Sequence, residues 1–130
     1  GCSMSKAYLQ EWIDKAEEDY EVAITLARKR KRPTPDAVCF HCQQCAEKYL
    51  KAFLVQSKVI FPKVHDLLEL QKLCLTVDST FELIGDLLDG LNPYSVEFRY
   101  PGEQATGEEA KASVKAIKVV RRFMRDKLKV

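Results

Sequence analysis

The sequence predicts an all-α protein, an up-and-down bundle of four main helices plus one short helix. Three observations predict it. Residues 6–30 contain neither glycine nor proline, and their apolar residues recur at helical spacing. The five prolines, at 33, 35, 62, 93 and 101, all fall between periodic segments. No segment shows the strict alternation of a half-buried strand.

In the first segment Leu9, Trp12, Ile13, Ala16, Tyr20, Ala23, Ile24 and Ala27 form one stripe, with Glu11, Asp14, Lys15, Glu18 and Glu21 opposite. The helix is expected to run into the basic stretch Arg28-Lys29-Arg30-Lys31-Arg32 and to stop at Pro33, because cations suit a helix C-terminus and proline cannot continue one. A second helix is expected from an Asp36 N-cap to about Gln56. It is apolar around much of its circumference and should be central. Residues 57–64 read as an extended connection. A third helix opens at His65-Asp66 and carries Leu67, Leu68, Leu70, Leu73, Cys74 and Leu75. Asp78 starts a short fourth helix with Phe81, Leu83, Ile84, Leu87 and Leu88, closed by Gly90. Residues 91–107 read as a structured loop. The last helix runs from about Glu108 to Lys127, acidic at its start and basic at its end, with Val114, Ile117, Val120, Phe123 or Met124, and Leu128 on its core stripe.

A chain of 130 residues suits a single core. Residues 1–7 are expected to be an N-terminal extension and 8–128 the bundle. Hydrophobic residues at 46% and charged residues at 31% are an ordinary soluble balance, and a net charge of +2 does not by itself argue for nucleic acid. No apolar run approaches the roughly 20 residues of a membrane span. The N-terminus lacks the build of a signal peptide, so a cytoplasmic protein with reduced thiols is expected. Gly1 reads as a cloning remnant.

Cys39-Phe40-His41-Cys42-Gln43-Gln44-Cys45 raises the question of a metal centre. The bacterial ferredoxin run is C-x2-C-x2-C-x3-C-P, and here the fourth position is Tyr49 with no proline after it. On a helix the three sulfurs fan over about 120°, with the outer Cα atoms about 9 Å apart, a poor grip for one ion. The expectation is therefore no metal and no cofactor, with the cysteines packed as small hydrophobes.

His41, Gln44 and Lys48 share one narrow polar stripe on this apolar helix. They read either as a satisfied buried network or as a pocket for a polar or anionic ligand. Arg99 lies between Phe98 and Tyr100 in an aromatic loop that also contains Tyr94. It suits a phosphate or carboxylate with rings to stack on a base, or an ion pair that locks the loop. Arg28–Arg32, with Lys111, Lys115, Lys118, Arg122 and Arg125 on the last helix, is either a solvated surface or a basic face for RNA. His65-Asp66 reads as a cap. No Gly-rich phosphate loop, H-E-x-x-H or G-x-S-x-G appears.

Trp12-Ile13-Asp14-Lys15-Ala16-Glu17-Glu18-Asp19, then Phe40-His41-Cys42-Gln43-Gln44-Cys45-Ala46-Glu47-Lys48-Tyr49-Leu50-Lys51-Ala52, then Val64-His65-Asp66-Leu67, then Asn92-Pro93-Tyr94 with Arg99-Tyr100-Pro101, occur in this order. Together they resemble the HEPN domain, the "higher eukaryotes and prokaryotes nucleotide-binding" family, over about residues 8–128. The resemblance implies a helical bundle that forms a homodimer and is paired with a minimal nucleotidyltransferase in a toxin–antitoxin-like system. It implies a nucleotide-binding cleft in which His41, Gln44 and Lys48 make polar contacts, Arg99 takes an anionic group, and Tyr94 and Tyr100 stack. RNA is the less favoured partner. Catalytic members of the family are metal-independent endoribonucleases with an R-x4-6-H motif. From Arg99 the histidine would fall at Gln104, Ala105 or Thr106, and no histidine follows residue 65, so the motif is absent. The expectation is a non-catalytic member; the alternative is a ribonuclease toxin with a non-standard His/Arg site.

Overall fold

The computed structural model describes residues 2–130, with side chains from residue 6 onward. Of the expected extension over residues 1–7, residues 2–7 are described as helix, whereas Gly1 and the side chain of Cys2 fall outside the described residues. Five α-helices make up the fold: α1 (Cys2–Ala27), α2 (Pro35–Gln56), α3 (Leu67–Leu75), α4 (Gly85–Leu91) and α5 (Gly107–Leu128). Short 3-10 stretches, Ser79–Ile84 and Asn92–Tyr94, flank α4. No strand occurs among the described residues. The all-α bundle expected from periodicity is the fold observed.

The greasiest helix is the central one. α2 packs against α1, α3 and α5, and Cys39, Cys42, Cys45, Tyr49, Leu50 and Leu54 on it are fully buried. α1 and α2 form an antiparallel hairpin. Gln43 meets His65 just before α3, and Leu50 meets Cys74 near its end. α3 therefore runs alongside α2 in the same direction, and the extended segment 57–66 is the crossover that allows it. α5 also runs with α2: Ser113 meets Cys39 at one end and Arg125 meets Tyr49 towards the other.

Several boundaries differ from the sequence expectation, each for a local reason. α1 stops at Ala27, where the Arg28 and Lys29 N–H groups turn back to the Thr25 and Leu26 carbonyls. The basic run is thus a loop beyond the helix rather than its last turn. Thr34, not Asp36, holds the N-cap position of α2, without a side-chain cap bond; with Pro35 at the first position, Asp36 sits inside the helix and accepts from the Ala105 N–H at 2.6 Å. Gly90 lies within α4, which continues to Leu91. Of the apolar residues named for the short fourth helix, Phe81 and Ile84 are buried and Leu83 is exposed, because the segment around it is a 3-10 turn.

Other signals read as expected. Asp66 caps α3 by accepting from Leu68 and Glu69 N–H, and Asp78 caps the next turn by accepting from Thr80 N–H. Thr106 and Glu109 form a reciprocal capping box at the head of α5. The loop before it turns at Pro101-Gly102: the Glu103 N–H donates to the Tyr100 carbonyl at 2.9 Å, and Gly102 takes φ 92°, a value glycine adopts without steric cost.

Candidate functional site

Trp12 and Asp19 are seven residues apart on α1, so both face the same side of that helix. That side meets α2. Asp19 is buried, and its carboxylate receives two partners from the polar stripe of α2. His41 Nδ1 lies 2.8 Å from Oδ1, and Lys48 Nζ bonds Oδ2. A carboxylate bridging an ammonium offers only acceptors. His41 therefore presents N–H at Nδ1, which leaves Nε2 as its free ring nitrogen. The two side chains keep 22% and 24% of their surface exposed, against 10% for Asp19. A buried acid thus holds one imidazole and one ammonium side by side at the surface.

Gln44, the third member of the expected stripe, joins a neighbouring network. Its Nε2 donates to Gln43 Oε1 at 2.8 Å and more loosely to Glu47 Oε1 at 3.4 Å. Gln43 Nε2 donates to the His65 carbonyl at 2.9 Å. Glu47, buried, takes Lys51 Nζ at 3.0 Å and His65 Nδ1 at 2.9 Å. This network ties α2 to the residues that open α3 and satisfies polar groups that burial would otherwise penalise. Asp66 is the cap that the sequence suggested, and His65 anchors the turn through its carbonyl and its ring.

Arg99 is elsewhere. Its Nη2 donates to the Pro93 carbonyl, and its guanidinium lies 5.4 Å from the Tyr94 ring centre. Tyr94 Oη donates to Glu109 Oε2 at 2.7 Å, tying the loop to the head of α5. Burial, and then that bond, push the Tyr94 phenol up. Tyr100 is exposed and meets Phe98 edge-on. Tyr94 is tied through Glu109 to α5, whose Ser113 meets Cys39, and Cys39 is about 160° around α2 from His41. Within one protomer, then, His41 and Lys48 come together on Asp19, and Tyr94 and Arg99 come together at the start of α5, while Tyr100 packs on Phe98. The two groups approach α2 from opposite sides.

The four described cysteines are all buried. Burial pushes the Cys42 and Cys74 thiols up to about 12 and holds Cys45 well above the ordinary thiol range. A thiol held protonated is a poor metal ligand and a poor nucleophile. Among the described residues no group of three or more His, Cys, Asp or Glu side chains is placed to hold a metal ion. No described helix is long and apolar enough to cross a membrane.

Sequence reasoning missed a second polar lock. Glu17 takes Arg121 through two bonds of 2.8 and 2.6 Å, together with the Tyr49 hydroxyl. Arg125 Nη1 also donates to Tyr49 Oη at 3.1 Å. The Arg121 hydrogen bonds outweigh burial and hold the Glu17 carboxyl below the usual range. Asp19 was the other omission. The signal for both was available: carboxylates at positions that helical spacing places toward the core side of α1.

The family model described as HEPN domain matches residues 9–128. A protein of Methanocaldococcus jannaschii named "Putative toxin MJ1304" is 44% identical over 54 residues, a stretch covering 42% of this chain and 34% of that protein. The match thus spans about a third of the relative's length. No solved structure matches the chain.

Proposed function

The chain belongs to the HEPN domain family, and from that premise we propose that it is a toxin-like HEPN protein acting as a homodimer that binds a nucleotide and a minimal nucleotidyltransferase partner. The observation that carries this reading is the Asp19 clamp, which presents His41 Nε2 and the Lys48 ammonium together at the surface. An imidazole beside an ammonium is a phosphate-binding pair. Arg99, with Tyr94 and Tyr100, supplies the second half: a guanidinium for anionic oxygens and rings for a base. Because His41 and Arg99 lie on opposite sides of α2, the site is completed between two copies, His41 and Lys48 from one and Arg99 from the other. The toxin-named relative supports the toxin–antitoxin setting, and a cytoplasmic location is part of this reading.

A thermal-shift screen with ATP, GTP and their monophosphates tests the reading, repeated on Arg99→Ala. Stabilisation of the wild type that the variant loses is the expected result. No shift with any of them, together with no association with a nucleotidyltransferase encoded beside the gene, contradicts it.

One observation favours a second reading, a metal-independent endoribonuclease. A histidine fixed through Nδ1 by a carboxylate, with Nε2 free, is the arrangement a general base requires. It would take the proton of a ribose 2′-hydroxyl, and Arg99 of a second copy would stabilise the phosphorane. RNA cleavage that persists in chelator and disappears in His41→Ala would establish this reading over the first.

A further inference from the structure

The cations of α5 separate by face. Arg121 and Arg125 are paired with Glu17, and Lys127 with Asp78. Lys111, Lys115, Lys118 and Arg122 follow at helical spacing and fall in one stripe about 60° wide. All four are exposed, and among the described residues none makes an ion pair. The core residues Ile117, Val120 and Met124 face the opposite way. From Lys111 to Arg122 the stripe runs about 17 Å.

The stripe does not end in bare solvent. Lys111 lines a cleft of about 430 Å³ together with Lys29, so the basic loop Arg28–Arg32 adjoins the head of the stripe. The cleft walls are apolar, formed mainly by Leu26, Pro33, Pro35, Val38, Ala110 and Val114. Thr34, which also lines it, has a buried hydroxyl with no hydrogen-bond partner.

We propose that the α5 stripe and the 28–32 loop bind the sugar–phosphate backbone of a single-stranded nucleic acid, and that the cleft between Lys29 and Lys111 receives one of its bases. Lysine ammonium groups are point charges on flexible stems, suited to phosphates and blind to sequence. An apolar slot flanked by two cations fits a flat ring attached to phosphates. An acidic protein segment would match the charges but leave the slot without a use. A membrane surface is disfavoured because the apolar face of α5 is spent in the core, so the helix has no face to insert. The stripe shares no residue with the His41 and Arg99 groups, so this inference stands or falls apart from the nucleotide pocket.

The test is fluorescence anisotropy with a labelled single-stranded RNA of about 20 nucleotides, compared with inorganic polyphosphate and poly-glutamate of equal charge. Four phosphate contacts predict an affinity loss of about 50-fold between about 50 and 200 mM salt. The variant Lys115→Gln/Lys118→Gln changes only exposed side chains, and its helix content by circular dichroism checks the fold. It is expected to lower the logarithmic salt slope by about 1.4, the share of two phosphate contacts, while keeping any thermal response to nucleotides. RNA is expected to bind more tightly than either competitor. No RNA binding at low salt, an unchanged slope in the folded variant, or equal binding of RNA and poly-glutamate would each overturn the proposal.

Discussion

Asp19 on α1 holds the His41 imidazole on α2 at 2.8 Å, and its second oxygen takes the ammonium of Lys48. One buried carboxylate therefore fixes both the packing of the α1–α2 hairpin and the presentation of an imidazole and an ammonium. Asp19→Ala leaves those groups without their acceptor. It is expected to cost about 1–3 kcal/mol, the usual range for stranding partly buried polar partners. Thermal denaturation checks this, as a fall in midpoint of about 4 °C or more per kcal/mol. A variant that melts with the wild type would show that the clamp does not contribute.

Glu17 gives the protein an acid dependence of known sign. The Arg121 hydrogen bonds hold its folded pKa below the unfolded value, against the opposing effect of burial. Such a group stabilises the fold above the unfolded carboxylate pKa, about 4.3, and the contribution is lost as pH falls through the folded pKa. Urea denaturation at about pH 6 and pH 3 should show a smaller acid loss for Glu17→Gln than for the wild type. Equal losses in the two proteins would contradict the assignment.

The cysteines should be chemically silent in the folded state. With Cys2 replaced by serine, the remaining four thiols are all buried, and burial raises the pKa of each. Ellman's reagent at pH 8 is expected to react slowly with the native protein and with all four thiols after unfolding. Fast labelling of any one of them in the native state would place that residue at the surface or in a reactive site.

The head of α5 offers a local test. Thr106 and Glu109 cap each other there, and Thr106→Ala should cost about 1 kcal/mol, with Thr106→Ser near wild type. Gly102 at φ 92° predicts a similar loss of about 1 kcal/mol for Gly102→Ala. Denaturant midpoints at constant slope measure both.

The helices were legible because each leaves a local trace: the stripe of α1, the nearly all-round apolar α2, and the caps at Asp66 and Asp78. The cysteines were legible for the same reason, since helical spacing pointed them into the core. Leu83 misled because a 3-10 turn has a different period from the α-helix its neighbours suggest. Asp36 misled because proline at 35 lets the helix begin two residues earlier. The site was legible only in part. His41 and Lys48 stand out as polar residues on an apolar helix, but Asp19, which brings them together, contacts them from 22 and 29 residues away. Pairing across that distance is a property of how two helices pack, and periodicity within one helix does not encode it. The separation of Arg99 from His41 depends likewise on which side of α2 the 95–105 loop reaches.

The central claim is a nucleotide site shared between two copies, and mixing two inactive variants tests it most directly. His41→Ala and Arg99→Ala should each abolish nucleotide binding as homodimers. Unfolded together in equal amounts and refolded, they form heterodimers in which one site has both native residues and the other has neither. Isothermal titration should then recover about a quarter of the wild-type site number, half of the dimers each with one of two sites intact. No recovery, from variants that dimerise normally and a wild type that binds, would place His41 and Arg99 in separate functions and contradict the account.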